Sequence, residues 1–269
     1  SGHFDGKGYS ISGLSCSQGL FGYISSSGKI ENLKLSNFEV SAGQCGGFIA
    51  SHNSGLIQYC KITGSISGNT GHYLTNFVVG DNAGTVQYCS VSTTSGEAMT
   101  GTTIGGIAGR NTGRIISCIS SCLITGRTVT DGTGLSLVGG IVGYNNGGTI
   151  NLCKSTSAIV TSIVYAGCAC GGIAGANTGT INTNYFNGRV YAHATTTNYG
   201  ARAGGIVGSN GDRWLGKGGT VSQCVYELSE DSSATGLDAS DSSYCGIIEN
   251  NYDSALSGAE IIDKIEVTL

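Results

Sequence analysis

Proline is absent from all 269 residues, and methionine and tryptophan occur once each. At the usual proportion of about 5%, roughly 13 prolines would be present. Proline cannot donate a backbone hydrogen bond and is confined in sheets to edges, strand starts and bulges. A chain whose backbone is paired on both sides nearly throughout has few places for it. Charge is scarce as well: Asp, Glu, Lys and Arg make up 11%, with a formal net charge of −4. Low charge with 39% hydrophobic residues excludes the composition of a disordered chain. No run approaches about 18 apolar residues, so no membrane-spanning helix is expected. No Lys/Arg cluster forms a phosphate-binding surface, so nucleic acid is not an expected partner. There is no starting methionine and no signal peptide, so the chain is expected to be a mature or trimmed piece.

Glycine is abundant, at 47 residues, against a usual share of about 7%. It has no three-residue period, and without proline a collagen triple helix is excluded. Gly, Ser, Thr, Asn and β-branched residues together predict many short strands joined by tight turns. Few windows carry a helical apolar stripe free of glycine, so long helices are not expected.

One phrase recurs along the chain. It reads GFIASHNSGLIQYC from Gly47, FVVGDNAGTVQYC from Phe77 and GGIAGRNTGRIISC from Gly105. It continues as GGIVGYNNGGTINLC from Gly139, GGIAGANTGTINTN from Gly171 and GGIVGSN from Gly204, interrupted by GDRWLGKG and resuming at Gly219. A weaker first copy, GLFGYISSSGKIENL, starts at Gly19. The shared asparagine falls at Asn53, Asn82, Asn111, Asn145, Asn177 and Asn210, at intervals of 29, 29, 34, 32 and 33 residues. A period near 30 with strand-like content predicts an all-β parallel β-helix, one copy per coil. About seven coils stacked at about 4.8 Å would make a rod on the order of 34 Å long.

Each coil divides into pieces. The apolar residues before the loop, such as Ile107 and Ala108, predict a short strand. The Gly-x-Asn-x-Gly loop, as in Gly109 to Gly113, predicts a turn held by left-handed Gly and Asn. Ile57, Val86, Ile115, Ile150, Ile181 and Val221 share one position, expected to point inward. Two residues later the path is expected to bend. Cys60, Cys89, Cys118, Cys153 and Cys224 then share a position, with Asn184 in the sixth copy. Ile62, Val91, Ser120, Ser155, Phe186 and Tyr226 follow at the next alternate position, on the same inward face. The rest of each coil predicts one variable strand, such as Leu123 to Thr125, and a loop. Residues 1–228 are read as the solenoid. Residues 229–269 are acidic and Ser-rich, and are read as a C-terminal cap or linker with a short helix over Ala259 to Ile265.

The phrases GGIVGYNNGGTINLC and GGIAGANTGTINTN, with the opening GHFDGKGYSISGL, resemble the GLUG repeat of bacterial secreted and cell-surface proteins. The resemblance covers about residues 1 to 228. It implies a right-handed parallel β-helix on a large exported protein, in adhesin-like proteins and some immunoglobulin-cleaving metallopeptidases. Peptidase chemistry in those proteins lies in a separate zinc domain, and no HExxH motif occurs here. The resemblance thus points to a non-catalytic, extracellular or cell-surface segment whose partners would be a host or matrix protein, a glycan, or another copy in a filament.

The candidate sites follow. The 11 cysteines are an odd number, so one is unpaired unless it bonds another chain. Five at one repeat position fit a ladder of buried thiols better than a zinc site. Cys16, Cys45, Cys122, Cys168, Cys170 and Cys245 lie off that position and are the candidates for disulfides. His3, His52, His72 and His193 do not pair at ligand spacing, so neither metal nor cofactor is expected. The Asn column is read as stacked amides holding the coil turn rather than as a row of sugar ligands. An enzyme acting on polysaccharides would need two carboxyls roughly 5 to 9.5 Å apart, from acids at matching offsets in neighbouring coils. Asp5, Glu31, Glu39, Asp81, Glu97, Asp131 and Asp212 show no such matching. Ice binding would need a flat Thr ladder. The Thr-rich stretches at Thr93, Thr102 and Thr195 fall in variable loops, and Lys61 and Lys154 break the candidate face. Trp214 and Arg213, in the GDRWLGKG insertion, are the leading contact candidates, since both residue types are enriched at binding hot spots.

Overall fold

A computed structural model describes residues 2–16, 19–40, 44–68, 73–74, 76–93, 103–126, 136–163, 168–194, 201–211, 217–228 and 233–235. These residues form a parallel β-solenoid. Three long sheets run along it. The Asn sheet has seven strands, from Phe21–Ile24 through Ala50–Asn53, Val79–Asn82, Ala108–Asn111, Val142–Asn145 and Ala174–Asn177 to Val207–Ser209. The Ile sheet has eight, from His3–Asp5 to Thr220–Ser222. The Cys sheet has nine, from Ser10–Ser12 to Val225–Leu228, counting Ser15–Cys16 beside Lys34–Val40. Neighbouring strands are parallel and in register, as in Asn82 beside Asn111 and Ile115 beside Ile150, except that Lys61–Gly68 shifts against Lys34–Val40 between Thr63 and Ile66.

The coil beginning at Thr103 shows the path. Thr103–Gly105 bends at Gly106 and Ile107 into Ala108–Asn111. A turn at Thr112 and Gly113 leads to Arg114–Ile116, and a second bend leads to Ile119–Ser121. Leu123–Gly126 follows. One variable strand between the Cys sheet and the next Gly-Gly pair is too few for these later coils. Two four-stranded sheets lie there, one from Thr103–Gly105 to Ala201–Gly204 and one from Leu123–Gly126 to Ser233–Thr235.

The core is a set of inward columns. Ile57, Val86, Ile115, Ile150 and Ile181 are buried, and Val221 packs partly buried against them. Cys60, Cys89, Cys118, Cys153 and Cys224 form the next buried column, and Ile62, Val91, Ser120, Ser155 and Phe186 the one after. Between the first two columns stands the bend residue, two positions after the Ile column. Tyr59, Tyr88, Ser117, Leu152, Thr183 and Gln223 occupy it with φ of 51° to 56°. A left-handed conformation costs an L-residue roughly 1–2 kcal/mol. It persists because it turns the backbone so that the Ile and Cys positions both face the core.

The left-handed residue is therefore not the asparagine. Asn53, Asn82, Asn111, Asn145 and Asn177 close their strands in extended conformation. The loop glycines are not left-handed there either: Gly55, Gly84, Gly113, Gly179 and Gly219 lack positive φ. They are required by close stacking. A Cβ on Gly84 would fall on the Gly55 carbonyl oxygen, one on Gly113 on that of Gly84, and one on Gly219 on that of Gly179. The Gly-Gly pairs obey the same constraint from another side. A Cβ on Gly106 would meet the Ser120 hydroxyl, and one on Gly172 the Phe186 ring. Conformational freedom matters at Gly147 (φ 77°), the extra residue that lengthens one loop to Asn145-Asn146-Gly147-Gly148.

The cap at 229–269 lies outside the described residues except for the strand Ser233–Thr235.

Candidate binding surface

The two columns singled out in the sequence lie inside the rod. Asn53 donates its amide to the Asn82 oxygen at 2.8 Å, Asn82 to Asn111 at 2.8 Å and Asn111 to Asn145 at 2.8 Å. Asn145 donates to Asn177 at 2.8 Å, and Asn177 to Asn210 at 2.9 Å. The Asn210 amide ends the series on the Gly219 carbonyl at 3.0 Å. Asn53 and Asn177 also accept the backbone N–H two residues on, both at 3.0 Å, the local turn that short amide side chains favour. The first five asparagines are at most 1% exposed. A ligand therefore cannot reach their polar atoms without opening the rod.

The Cys column is equally enclosed. Each thiol of Cys60, Cys89, Cys118, Cys153 and Cys224 donates to the carbonyl two residues before it at 3.2 to 3.4 Å. Asn184 fills the gap in this column. It accepts from the Cys153 N–H at 2.8 Å and donates to the Asn182 and Ile150 carbonyls at 2.9 and 3.2 Å. Cys122, Cys168 and Cys170 are also buried and form no disulfide. Burial pushes Cys89, Cys153, Cys122 and Cys224 above the ordinary thiol range. The thiolate is the nucleophile and metal ligand, so these four are poor at both. Side chains at Cys16 and Cys45, and all of Cys245, lie outside the described set. Among the described residues no group of three or more His, Cys, Asp or Glu could hold a metal ion.

What the rod presents outward is a series of aligned polar columns. Tyr23, His52, Asp81, Arg110 and Tyr144 stack on the Asn sheet. Tyr23 is 65% exposed. His52 Nδ1 and Asp81 Oδ2 are 3.2 Å apart with both side chains exposed, a pair of small energetic weight. At the bend, the Tyr59 and Tyr88 rings stack at 5.1 Å and 6°.

The acids show an alignment that the sequence reading missed. Asp5 and Glu31 are register partners in neighbouring strands of the Ile sheet. The carboxylates therefore do share one offset, contrary to the expectation. Their chemistry is set by their partners. The Asn32 amide at 3.0 Å and the Lys7 N–H at 2.8 Å hold Asp5 below the usual carboxylate range. Lys29 at 2.8 Å, Gln58 at 2.7 Å and His3 at 2.7 Å pull Glu31 down to about 2. A glycosidic general acid needs a raised pKa. Both acids are shifted the other way.

No family model matches the chain. Over 74 residues it is 35% identical to halomucin of Haloquadratum walsbyi, a match covering 25% of this chain and 1% of that protein. The chain thus spans a very small part of this curated relative. A crystal structure of a candidate immunoglobulin A1 protease from Bacteroides ovatus shares the fold, with a TM-score of 0.50 and 18% identity. That match covers 85% of this chain and 76% of the other. At this identity the likeness establishes a common parallel β-solenoid architecture.

Trp214 and Arg213 lie outside the described residues. One further outward column escaped the sequence reading. Thr149, Thr180 and Thr220 stack in register on the Ile sheet, with Asn151, Asn182 and Ser222 stacked beside them. This ladder is separate from the Thr-rich stretches read as variable loops, of which Thr93 instead closes the strand Ser90–Thr93 and Thr103 opens the strand Thr103–Gly105. Its signal was the phrase Thr-Ile-Asn, Thr-Ile-Asn, Thr-Val-Ser immediately after the asparagine turn.

No helix among the described residues is long and apolar enough to cross a membrane.

Proposed function

We propose that this chain is a non-catalytic, right-handed parallel β-helix of about seven coils, of the GLUG-repeat type, within a larger bacterial surface or secreted protein. It acts as a rigid spacer and displays its outward columns and loops to a host or matrix protein or a glycan. The amide series from Asn53 to Asn210 carries this reading. It ties successive coils along the rod's axis, which stiffness requires and catalysis does not. The match to 1% of halomucin suits a segment of a much longer chain. Exposure outside the cell rests on the repeat resemblance.

A polysaccharide-active enzyme is the second reading, favoured by the alignment of Asp5 with Glu31. The lowered pKa of both carboxyls opposes it. A glycan-degradation screen separates the two: no turnover is expected. Turnover that disappears in both Asp5→Asn and Glu31→Gln would overturn the structural reading. A glycan and matrix-protein array, run beside Trp214→Ala, would identify the displayed contact. Equal binding by both proteins would remove Trp214 from it. Filament assembly through the rod ends is the remaining alternative, visible on electron-microscope grids.

A further inference from the structure

We propose that the corner formed by Tyr59, Lys34 and Lys61 binds an anionic sugar, with one ring stacked on Tyr59 and its acidic group between the two lysines. The proposal rests on the reading of the rod as a non-catalytic segment that displays its outward columns, and it names the ligand class for one of them.

The column of bend residues changes size abruptly here. The Tyr59 and Tyr88 rings stack at 5.1 Å and 6°, so each covers one face of the other. The coil before them has Asn32 at the same bend position, with φ of 54°. Asn32 is the shorter side chain, and its amide is turned to Asp5 at 3.0 Å. The face of Tyr59 away from Tyr88 therefore lies over a step in the surface. Tyr59 is 49% exposed although a coil stands on each side of it. The negative face of an aromatic ring attracts the C–H bonds along one side of a pyranose.

Lys34 and Lys61 flank this step. Each stands two residues after its bend residue, across the buried Leu33 or Cys60. They are register partners in neighbouring strands of the Cys sheet, and both are exposed. Their backbones are therefore about 4.8 Å apart, and like charges placed side by side in a sheet repel. The Lys34 ammonium lies toward Gly8 of the preceding coil, on the side away from Lys61. Among the described residues neither lysine forms an ion pair. Glu31, the acid of the adjoining Ile sheet, is taken up by Lys29, Gln58 and His3. Farther along the same outward column, Lys154 has an aromatic partner, its ammonium 5.5 Å from the centre of the Tyr185 ring. Among the described residues Lys34 and Lys61 have no such partner. An anion between them replaces repulsion by two attractions.

The ring and the charges together select the ligand. An acidic peptide would satisfy the lysines and leave the ring face unused. A neutral sugar would use the ring and leave the charges. A hexuronate carries both a C–H face and a carboxylate at the ring's edge, and a sulfated sugar offers the same combination.

The test is a calorimetric titration of the whole chain with four probes: an oligogalacturonate, its methyl-esterified form, a dextran sulfate and a poly-glutamate of matched charge. Saturable binding of at least one acidic sugar is expected, at least about tenfold tighter than the esterified sugar or the poly-glutamate. It should weaken as salt rises. The tighter of the two acidic sugars distinguishes carboxylate from sulfate. Lys34→Gln combined with Lys61→Gln should weaken binding at least about tenfold, as should Tyr59→Asn. Tyr59→Asn introduces the residue type that Asn32 already places at this left-handed bend, and a single cooperative melt marks the variants as folded. Lys154→Gln should leave binding unchanged. Absence of saturable binding by both acidic sugars, equally tight poly-glutamate, or full binding by Tyr59→Asn or by the double lysine variant would each overturn the proposal. Cleavage of the bound oligogalacturonate would overturn the non-catalytic reading, which a simple failure to bind leaves standing.

Discussion

Asn111 donates its amide to Asn145 at 2.8 Å, the same distance at which Asn82 donates to Asn111. The first pair is 34 residues apart in sequence and the second 29. The extra residues leave the interior register untouched, so the amide series is set by the stacked sheets and not by a fixed repeat length. Removing one member should therefore disturb both neighbours. In Asn111→Ala the Asn82 amide loses its shortest acceptor and keeps only the Gly84 and Arg114 carbonyls at 3.3 and 3.2 Å, and the Asn145 oxygen loses a donor in the buried interior. One lost hydrogen bond at about 0.5–1.5 kcal/mol and one orphaned group at about 1–3 kcal/mol give an expected loss of about 1.5–4.5 kcal/mol. Urea unfolding measures it. A loss below about 1 kcal/mol would contradict the arrangement.

Glycines at two kinds of position should respond differently to alanine. Gly113→Ala drives a Cβ into the Gly84 carbonyl, which is backbone and cannot move aside. A cost of about 3 kcal/mol or more is expected, at the upper end for overpacking. Gly147→Ala meets no atom within 4 Å and pays only for its left-handed φ, about 1–2 kcal/mol. Thermal unfolding of the two variants should rank them in this order.

Leu152 is 37% exposed and has φ 56°. Its side chain is nearly two-thirds covered while its backbone is held in the left-handed region. Leu152→Gly relieves about 1–2 kcal/mol of conformational cost and loses about 0.5–1 kcal/mol to chain entropy and about 1–2 kcal/mol of apolar burial. The terms nearly offset, so a change within about 1 kcal/mol is expected, read from the urea midpoint at unchanged slope. A loss above about 2 kcal/mol would show that the Leu152 side chain packs more than its exposure indicates.

Glu31 gives the rod an acid-sensitive end. Its folded pKa is lowered by Lys29, Gln58 and His3 from 4.5 to about 2. A carboxyl depressed in the folded state stabilises above its unfolded pKa, and that contribution is lost as pH falls through the folded value. Stability should therefore decline between about pH 4.5 and about pH 2. Glu31→Gln should flatten this part of the profile, measured by urea unfolding across pH. An unchanged slope would remove Glu31 as its source.

The parts of this architecture that were legible in the sequence are those repeated at a fixed offset from the asparagine. The Ile and Cys columns, and the bend between them, follow from period-two alternation and one turn. The conformations behind the motif were less legible. Asn and Gly are the usual left-handed residues, yet here Asn closes a strand and Gly makes room for a stacked carbonyl. The left-handed position carries Asn32 in the first copy but Tyr, Ser, Leu, Thr and Gln in the later ones, types that give no local signal of it. The outward alignments were hidden for another reason. Asp5 precedes the first copy of the phrase, so its coil had no marker to count from. Thr149, Thr180 and Thr220 look like ordinary strand residues until the register places them in one line.

The central claim is that buried amides, coupled coil to coil, hold this chain as one stiff rod. A double-mutant cycle on Asn111→Ala and Asn145→Ala, followed by urea unfolding, tests it most directly. The account predicts one cooperative transition and a coupling energy of about 0.5–3 kcal/mol between the two sites. Additivity within about 0.3 kcal/mol would contradict it.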